Sequence, residues 1–287
     1  MAELRIGTCS WKYDSWKGIV YSNSEEINYL NEYSQFYNSV EIDQWFWSLH
    51  AENKITLPFF NVVNSYKNSV PEDFKFTVKV PNSITLTHFY KKQKSDPLIE
   101  NKHFFSNKLF DEFLRSLDPI KKQLGPLIFQ FEYLNKQKMP AQQHFFGEVE
   151  KFASGLDKDY QYSFEIRNPN YLSEEYLNLL AQNNLGVTFI QGYFMPSIID
   201  LYGKYKSQIN STTVIRLHGL DRKGIENKTG GNWDKIVEPK DSELPGIVKI
   251  IEDLLSKEVD VYLNVNNHYE GCAPLTIKKI EKMIYGE

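Results

Sequence analysis

Short apolar runs alternate with longer amphipathic stretches along the whole chain. Runs rich in β-branched and aromatic residues predict eight strands, at residues 4–9, 39–43, 74–80, 127–131, 161–166, 186–190, 213–218 and 259–266. Between them, apolar residues recur at helical spacing over 26–37, 104–123, 142–155, 173–183, 245–256 and 274–285. Ser173 followed by Glu174 and Glu175 reads as an N-cap with acids in the first turn. Strands alternating with helices predict a parallel sheet, and eight strands close a barrel. The expected fold class is therefore α/β: a single (β/α)8 TIM-type barrel domain over residues 1–287. Long loops follow strands 3 and 7, at residues 81–103 and 219–244, where barrel enzymes build sites and lids. A doubly wound open sheet is the alternative, but no Gly-rich phosphate loop follows the first strand.

Side chains alternate across a strand, so each run sorts into two faces. In a barrel the outer face meets helices and must be apolar. Val40 and Ile42 take the outer face of strand 2, turning Glu41 and Asp43 inward. The same parity turns Lys75, Thr77 and Lys79 inward on strand 3, and Gln130 on strand 4. It turns Ser163, Glu165 and Arg167 inward on strand 5, Arg216 and His218 on strand 7, and Tyr262, Asn264 and Asn266 on strand 8. Cys9 and then Trp11 fall on the inner side of strand 1. Barrel interiors are usually filled by Val, Ile and Leu, whereas this one carries charge at the carboxyl ends of its strands. Buried charges must pair, be solvated or meet a ligand. An ion-pair network with no chemistry is the plain alternative to a catalytic site.

Composition narrows the choices. The 287 residues include 33 Lys plus Arg against 37 Asp plus Glu, a net charge of −4. A chain this long buries roughly 75% of its unfolded surface, so a self-sufficient core is expected. No run approaches the ~18 apolar residues of a membrane span, and the N-terminus lacks the apolar stretch of a signal peptide. Two cysteines make no disulfide framework, and no Cys/His spacing resembles a zinc site. A soluble cytoplasmic protein with two unbridged thiols, Cys9 and Cys272, is expected. The acidic balance disfavours nucleic acid, although Lys91, Lys92 and Lys94 beside His88, Phe89 and Tyr90 form a local basic, aromatic patch.

The segments in order resemble a known family. Ile6-Gly7-Thr8 with Trp11 and Trp16-Lys17-Gly18 open the match, followed by Val40-Glu41-Ile42 and Phe76-Thr77-Val78-Lys79-Val80-Pro81. Leu124-Gly125-Pro126, Phe129-Gln130, Phe164-Glu165-Ile166-Arg167 with Pro169, and Arg216-Leu217-His218-Gly219 continue it. Asn266-Asn267 with Gly271, Ala273 and Pro274 complete it. Together they resemble the YecE-like family, a domain of unknown function, over essentially the whole chain. The resemblance implies a TIM-type barrel with its site at the carboxyl face and implies no reaction. The chain departs from the family pattern at Asp43-Gln44-Trp45-Phe46-Trp47, at Phe131-Glu132 and at Leu275-Thr276. These departures flank the expected mouth and leave the ligand open.

The inward residues suit several chemistries. Lys79, Arg167 and Arg216 would hold a small phosphorylated or carboxylated substrate, with Gln130, Asn264, Asn266 and Trp11 completing the lining. Glu41 and Glu165 would orient these cations or act as acid and base, and His218 would transfer a proton if its pKa stays near neutrality. No cofactor or metal is expected. Glu41 and Glu165 with Trp11, Trp16, Trp45 and Trp47 also fit glycoside hydrolysis. Glu41, Asp43, Glu165, His218 and His268 fit a metal-dependent phosphodiester hydrolase, disfavoured by the cations beside them. A non-catalytic nucleic-acid-binding protein is the remaining alternative. Oligomeric state is open.

Overall fold

Eight parallel strands form the centre of the protein, which is described by a computed structural model over residues 2–51, 54–91, 93–209 and 211–286. The strands are β1 (Leu4–Thr8), β2 (Ser39–Ile42), β3 (Lys75–Lys79), β4 (Leu124–Gln130), β5 (Tyr162–Glu165), β6 (Gly186–Gly192), β7 (Thr213–Gly219) and β8 (Val261–Val265). The ladders run β1-β8-β7-β6-β5-β4-β3-β2, every one parallel. The sheet is thus a nearly closed α/β barrel of the TIM type, ringed by helices.

The remaining seam, between β2 and β1, is bridged by side chains. Asn38 accepts from the Ile6 amide through Oδ1 (2.8 Å) and donates to the Leu4 carbonyl through Nδ2 (3.2 Å). The buried Tyr33 hydroxyl accepts from the Thr8 amide (2.8 Å) and donates to the Ser39 carbonyl (3.1 Å). Gly7 lets the two backbones touch, because a Cβ there would sit 1.9 Å from the Ser39 carbonyl oxygen. These bonds answer backbone groups that a ladder would otherwise satisfy.

Inside the barrel the amino-terminal end is plugged by Ile128, Val214 and Tyr262. The Tyr262 ring lies where a Cβ on residue 125 would be, which accounts for Gly125. Outside, the apolar parity residues, among them Val40, Ile42, Phe76, Val78, Phe129 and Phe164, pack against the helices. The charged side chains on the barrel axis therefore sit above this plug, beside which Ser163 and Thr188 share a buried hydrogen bond.

The element boundaries differ from the sequence reading in informative ways. The helix expected over 26–37 spans only Tyr29–Tyr33, because Asn28 caps it and the chain then turns back so that Asn38 reaches β1. The one expected over 104–123 starts at Asn107, capped by Ser106, and ends at Ser116. Asp118-Pro119 cannot continue it, and a 3-10 turn carries the chain into β4. A small hairpin (Leu49–Ala51 with Lys54–Ile55) and the helices Phe60–Lys67, Asn82–Thr85, Ile198–Tyr205 and Arg222–Thr229 were not anticipated. Helices Asn82–Thr85 and Arg222–Thr229 lie in the two long loops. The loops after β2 and β3 are tied together: Asn82 Oδ1 accepts from the Ser48 and Leu49 amides, each at 2.9 Å. Asn101 donates to the Ser83 and Leu86 carbonyls at 2.8 and 2.7 Å. No helix among the described residues is long and apolar enough to cross a membrane.

Tyr33→Phe removes the buried acceptor for the Thr8 amide and is expected to cost about 1–3 kcal/mol in urea denaturation. The exposed Asn38→Ala should cost less, since water replaces the lost groups. An unchanged midpoint for Tyr33→Phe would show that the seam is held by something else.

Candidate functional site at the carboxyl mouth of the barrel

One guanidinium organises the upper interior. Arg216, rising from β7, donates Nε to Glu41 Oε2 at 2.8 Å and Nη2 to Glu41 Oε1 at 2.7 Å, a bidentate pair with β2. Its Nη1 donates to Glu165 Oε2 of β5 (2.5 Å) and to Gln130 Oε1 of β4 (3.1 Å). These contacts cross the barrel, so the four side chains meet on its axis. Below them Asn264 of β8 donates to Glu41 Oε2 (3.2 Å) and Thr77 Oγ1 (3.0 Å). Glu165 also accepts from Arg167 Nε at 2.5 Å, and the Arg167 guanidinium lies 4.6 Å from the centre of the Tyr193 ring.

His218 and Lys79 complete the set. His218 Nδ1 is 3.1 Å from the Tyr193 hydroxyl, and its Nε2 is 3.6 Å from Cys9 Sγ. Lys79, at the carboxyl end of β3, is 9% exposed. Its ammonium lies 4.0 Å from the centre of the Phe46 ring, and among the described residues the side chain has no hydrogen bond or ion pair. Glu41 and Glu165 are engaged by Arg216 and Arg167, whereas Asp43, just past the end of β2, lies in the field of Lys79 without an ion pair to it.

Burial and this cation ring divide the titrating groups. For Glu165, burial alone would raise the pKa, but the flanking Arg167 and Arg216 hold it down at about 2. Glu41 is raised, because burial outweighs the attraction of Arg216 and Lys79. Two carboxyls sharing one guanidinium are thus pushed apart, the pattern that separates proton carriers from fixed charges. Burial, then Arg216, Arg167 and Lys79, press His218 well below its ordinary value. The imidazole is therefore neutral at neutral pH, and the near-neutral pKa anticipated from the sequence is corrected. Burial also lowers Lys79, helped by Arg216, and raises the Cys9 thiol, which stays protonated.

Other sequence candidates take different places. Trp11 leaves the interior, because the strand ends at Thr8 and parity no longer governs residue 11. It packs edge-on against Tyr66, on which Trp45 stacks. Trp16 is fully buried, and among these tryptophans Trp47 stands out at 63% exposed. Asn264 is buried beneath Glu41, so it supports the carboxylate. Asn266, half-buried, accepts from the His268 amide and ring at the rim. Lys75 lies at the opposite end and donates to the Lys122 carbonyl. Cys9 and Cys272 are both free thiols. Lys91 and Lys94 are exposed, and Lys92 lies outside the described residues. Tyr193 and Phe46 were missed. Gly192 ahead of two aromatics was the available signal for Tyr193: the chain turns there through φ +132° at Gly192, +52° at Tyr193 and +62° at Phe194. A surface hollow of about 380 Å³ lined by Ile55, Leu57, His103 and Leu109 shares no residue with this site. Among the described residues no three or more His, Cys, Asp and Glu are grouped to hold a metal ion.

A family model described as "Protein of unknown function DUF72" matches residues 5–286. The chain belongs to the DUF72 family. This is the YecE-like family indicated by the sequence. A DUF72 family protein of Enterococcus faecalis V583 is 17% identical and superposes with a TM-score of 0.68, over 98% of this chain and 95% of the other. A DUF72 family protein of Thermotoga maritima MSB8 is 20% identical, with a TM-score of 0.66 and 98% of each chain covered. At these identities the likeness establishes the fold. No curated protein matches the chain.

The depressed His218 in this DUF72 protein makes a signed prediction. A folded-state pKa below the unfolded 6.5 contributes stability above that value, lost as pH falls through the window below it. The stability difference between wild type and His218→Gln should therefore move against wild type from pH 7 to 5, by up to about 1.4 kcal/mol per pH unit below 6.5. A difference independent of pH would mean that the fold does not lower the imidazole pKa, and a difference moving toward wild type would mean that the buried imidazole is protonated.

Proposed function

We propose that this DUF72 protein is a cofactor-independent enzyme that binds a small phosphorylated or carboxylated substrate at the carboxyl mouth and works by acid–base chemistry. The observation that carries this reading is the Lys79 ammonium: nearly buried, set over the Phe46 ring, and without a hydrogen bond or ion pair among the described residues. An isolated buried cation costs several kcal/mol, more than a ring face returns. Arg167 and Arg216 face Glu165 and Glu41, which leaves Lys79 as the cation of the set without an ion pair, with Asp43 the remaining carboxylate in its field. An anion placed against Lys79 would complete it.

In this reading Lys79 and the Arg167 Nη groups hold the anion, with Gln130 and Asn266 lining the approach. Arg216 is a positioning residue, because its donors are largely consumed by Glu41, Glu165 and Gln130. Glu165 stays ionised as the anchor of both guanidiniums. Neutral His218 is the base that takes a proton from the substrate, with the Tyr193 hydroxyl on its other nitrogen as the onward partner. Glu41 is the second proton store. A hydrolase or lyase acting beside a fixed negative charge fits these roles.

The alternatives carry less. A metal-dependent phosphodiester hydrolase would need Glu41 and Glu165 as ligands, yet their oxygens accept from Arg216, Arg167 and Asn264. A nucleic-acid-binding role rests on the exposed Lys91 and Lys94 and does not use the charged interior.

The test separates function from stability. Inorganic phosphate at 100 times its Kd should stabilise wild type by about 2.7 kcal/mol in a thermal-shift assay. Lys79→Met should abolish this shift while leaving the unliganded protein as stable as wild type or more so, since it removes an unpaired buried charge. Arg216→Met should instead cost about 3–5 kcal/mol, because it strands two carboxylates. A Lys79→Met variant that is destabilised and still binds phosphate would overturn the reading.

A further inference from the structure

Lys79 has a second property that anion binding alone does not use. Its amine emerges at the carboxyl end of β3 with no group accepting its hydrogens. The lone pair freed by losing one proton is therefore not committed to any neighbour. Lysines become nucleophiles when they are desolvated or set beside another cation, and this one meets both conditions. It is nearly buried over Phe46, in the field of Arg216. Both act in the direction of a lowered amine pKa. Proton carriers are present in the same interior, namely neutral His218 and the carboxyl of Glu41.

We propose that Lys79 is the amine nucleophile of this site and forms an imine with the carbonyl of a small 2-oxo acid. The inference rests on the anion-site reading and names its substrate class. A 2-oxo acid carries its carboxylate on the carbon next to the carbonyl, so one ligand answers both the Arg167 guanidinium and the free amine. Arg167, whose Nη groups have no partner, takes the carboxylate.

The step balances without an external oxidant or reductant. The ammonium gives one proton to His218. The neutral amine attacks the carbonyl carbon, a C–N bond forms, and the π pair moves to oxygen, which is protonated to give the carbinolamine. The C–O bond then breaks as His218 returns the proton it took, and water leaves. In sum, ammonium plus carbonyl gives iminium plus water. The iminium keeps the positive charge of Lys79, so the site remains matched to the carboxylate after condensation. It also draws electrons from the adjacent carbon, the requirement for a lyase or proton-transfer step there.

The experiment treats the full chain with pyruvate or glyoxylate and cyanoborohydride at pH 7, then maps reduced adducts by peptide mass spectrometry. The same samples are scored for the phosphate-induced thermal shift. Expected is an adduct on Lys79 at least about tenfold above that on exposed Lys91 or Lys94, as desolvation and a neighbouring cation favour a nucleophilic amine, suppressed by inorganic phosphate. Lys79→Arg, which lacks a nucleophilic amine, should lose the adduct. Labelling with no preference for Lys79, alongside an intact phosphate shift, would overturn the imine proposal and leave the anion site standing. Absence of both the adduct and the shift would overturn both.

Discussion

The bidentate pair between Arg216 and Glu41, extended to Glu165, is the interaction on which the upper barrel depends. A guanidinium on the barrel axis is tolerable only because strands β2, β4 and β5 all present acceptors to it. Each consequence in the site follows from that arrangement. Glu165 is locked as an anion, Glu41 is left as the softer carboxyl, His218 is denied a proton, and Lys79 is left without an ion pair among the described residues. Buried ion pairs are weak contributors to net stability, and apolar replacements of similar volume are often as stable. A barrel that needed only stability could have continued its Ile128, Val214 and Tyr262 layer upward. The charged layer is therefore best understood through the charges it sets on neighbouring groups.

Above and below that layer the structure divides its tasks. The amino-terminal plug and the side-chain-bridged seam hold the barrel together. At the carboxyl end, Asn82 ties the β3 loop to the β2 loop, its amide donating to the Phe46 carbonyl, and Asn101 braces the β3 loop internally, which fixes Phe46 beside the Lys79 ammonium. Across the mouth the turn at Tyr193 and Phe194 places two consecutive non-glycine residues in the left-handed region, at a cost on the order of 1–3 kcal/mol each. The return is a Tyr193 whose ring meets Arg167 and whose hydroxyl meets His218, while Phe194 stands 87% exposed at the rim. Strain that aims one aromatic into a charged cleft and another into solvent belongs to the mouth rather than to the core.

Much of this was legible in the sequence because strand parity is a strict physical rule. Outer faces must be apolar against helices, so the inward placement of Glu41, Glu165, Arg216 and His218 could be read from their neighbours. Parity could not say which cation lacks a partner. That depends on the stagger of eight strands, which decides that Arg216 reaches Glu41 on the far side while Lys79 does not. Nor does parity survive the end of a strand, which is why Trp11 was misplaced and Tyr193 overlooked. The short helices escaped for a related reason: a stretch such as Asn82–Thr85 is too brief to show helical periodicity, and tertiary hydrogen bonds define it.

The central claim is that the mouth carries an anion site centred on Lys79. The most direct measurement is the anomalous difference map of a crystal soaked in tungstate or bromide. The account requires a peak near the Lys79 ammonium, at ~3–4 Å for a charge-assisted contact, on the side facing Arg167, and its loss in Lys79→Met crystals. Peaks confined to surface lysines, with only solvent beside Lys79, would contradict it and leave the charged interior as a purely structural network.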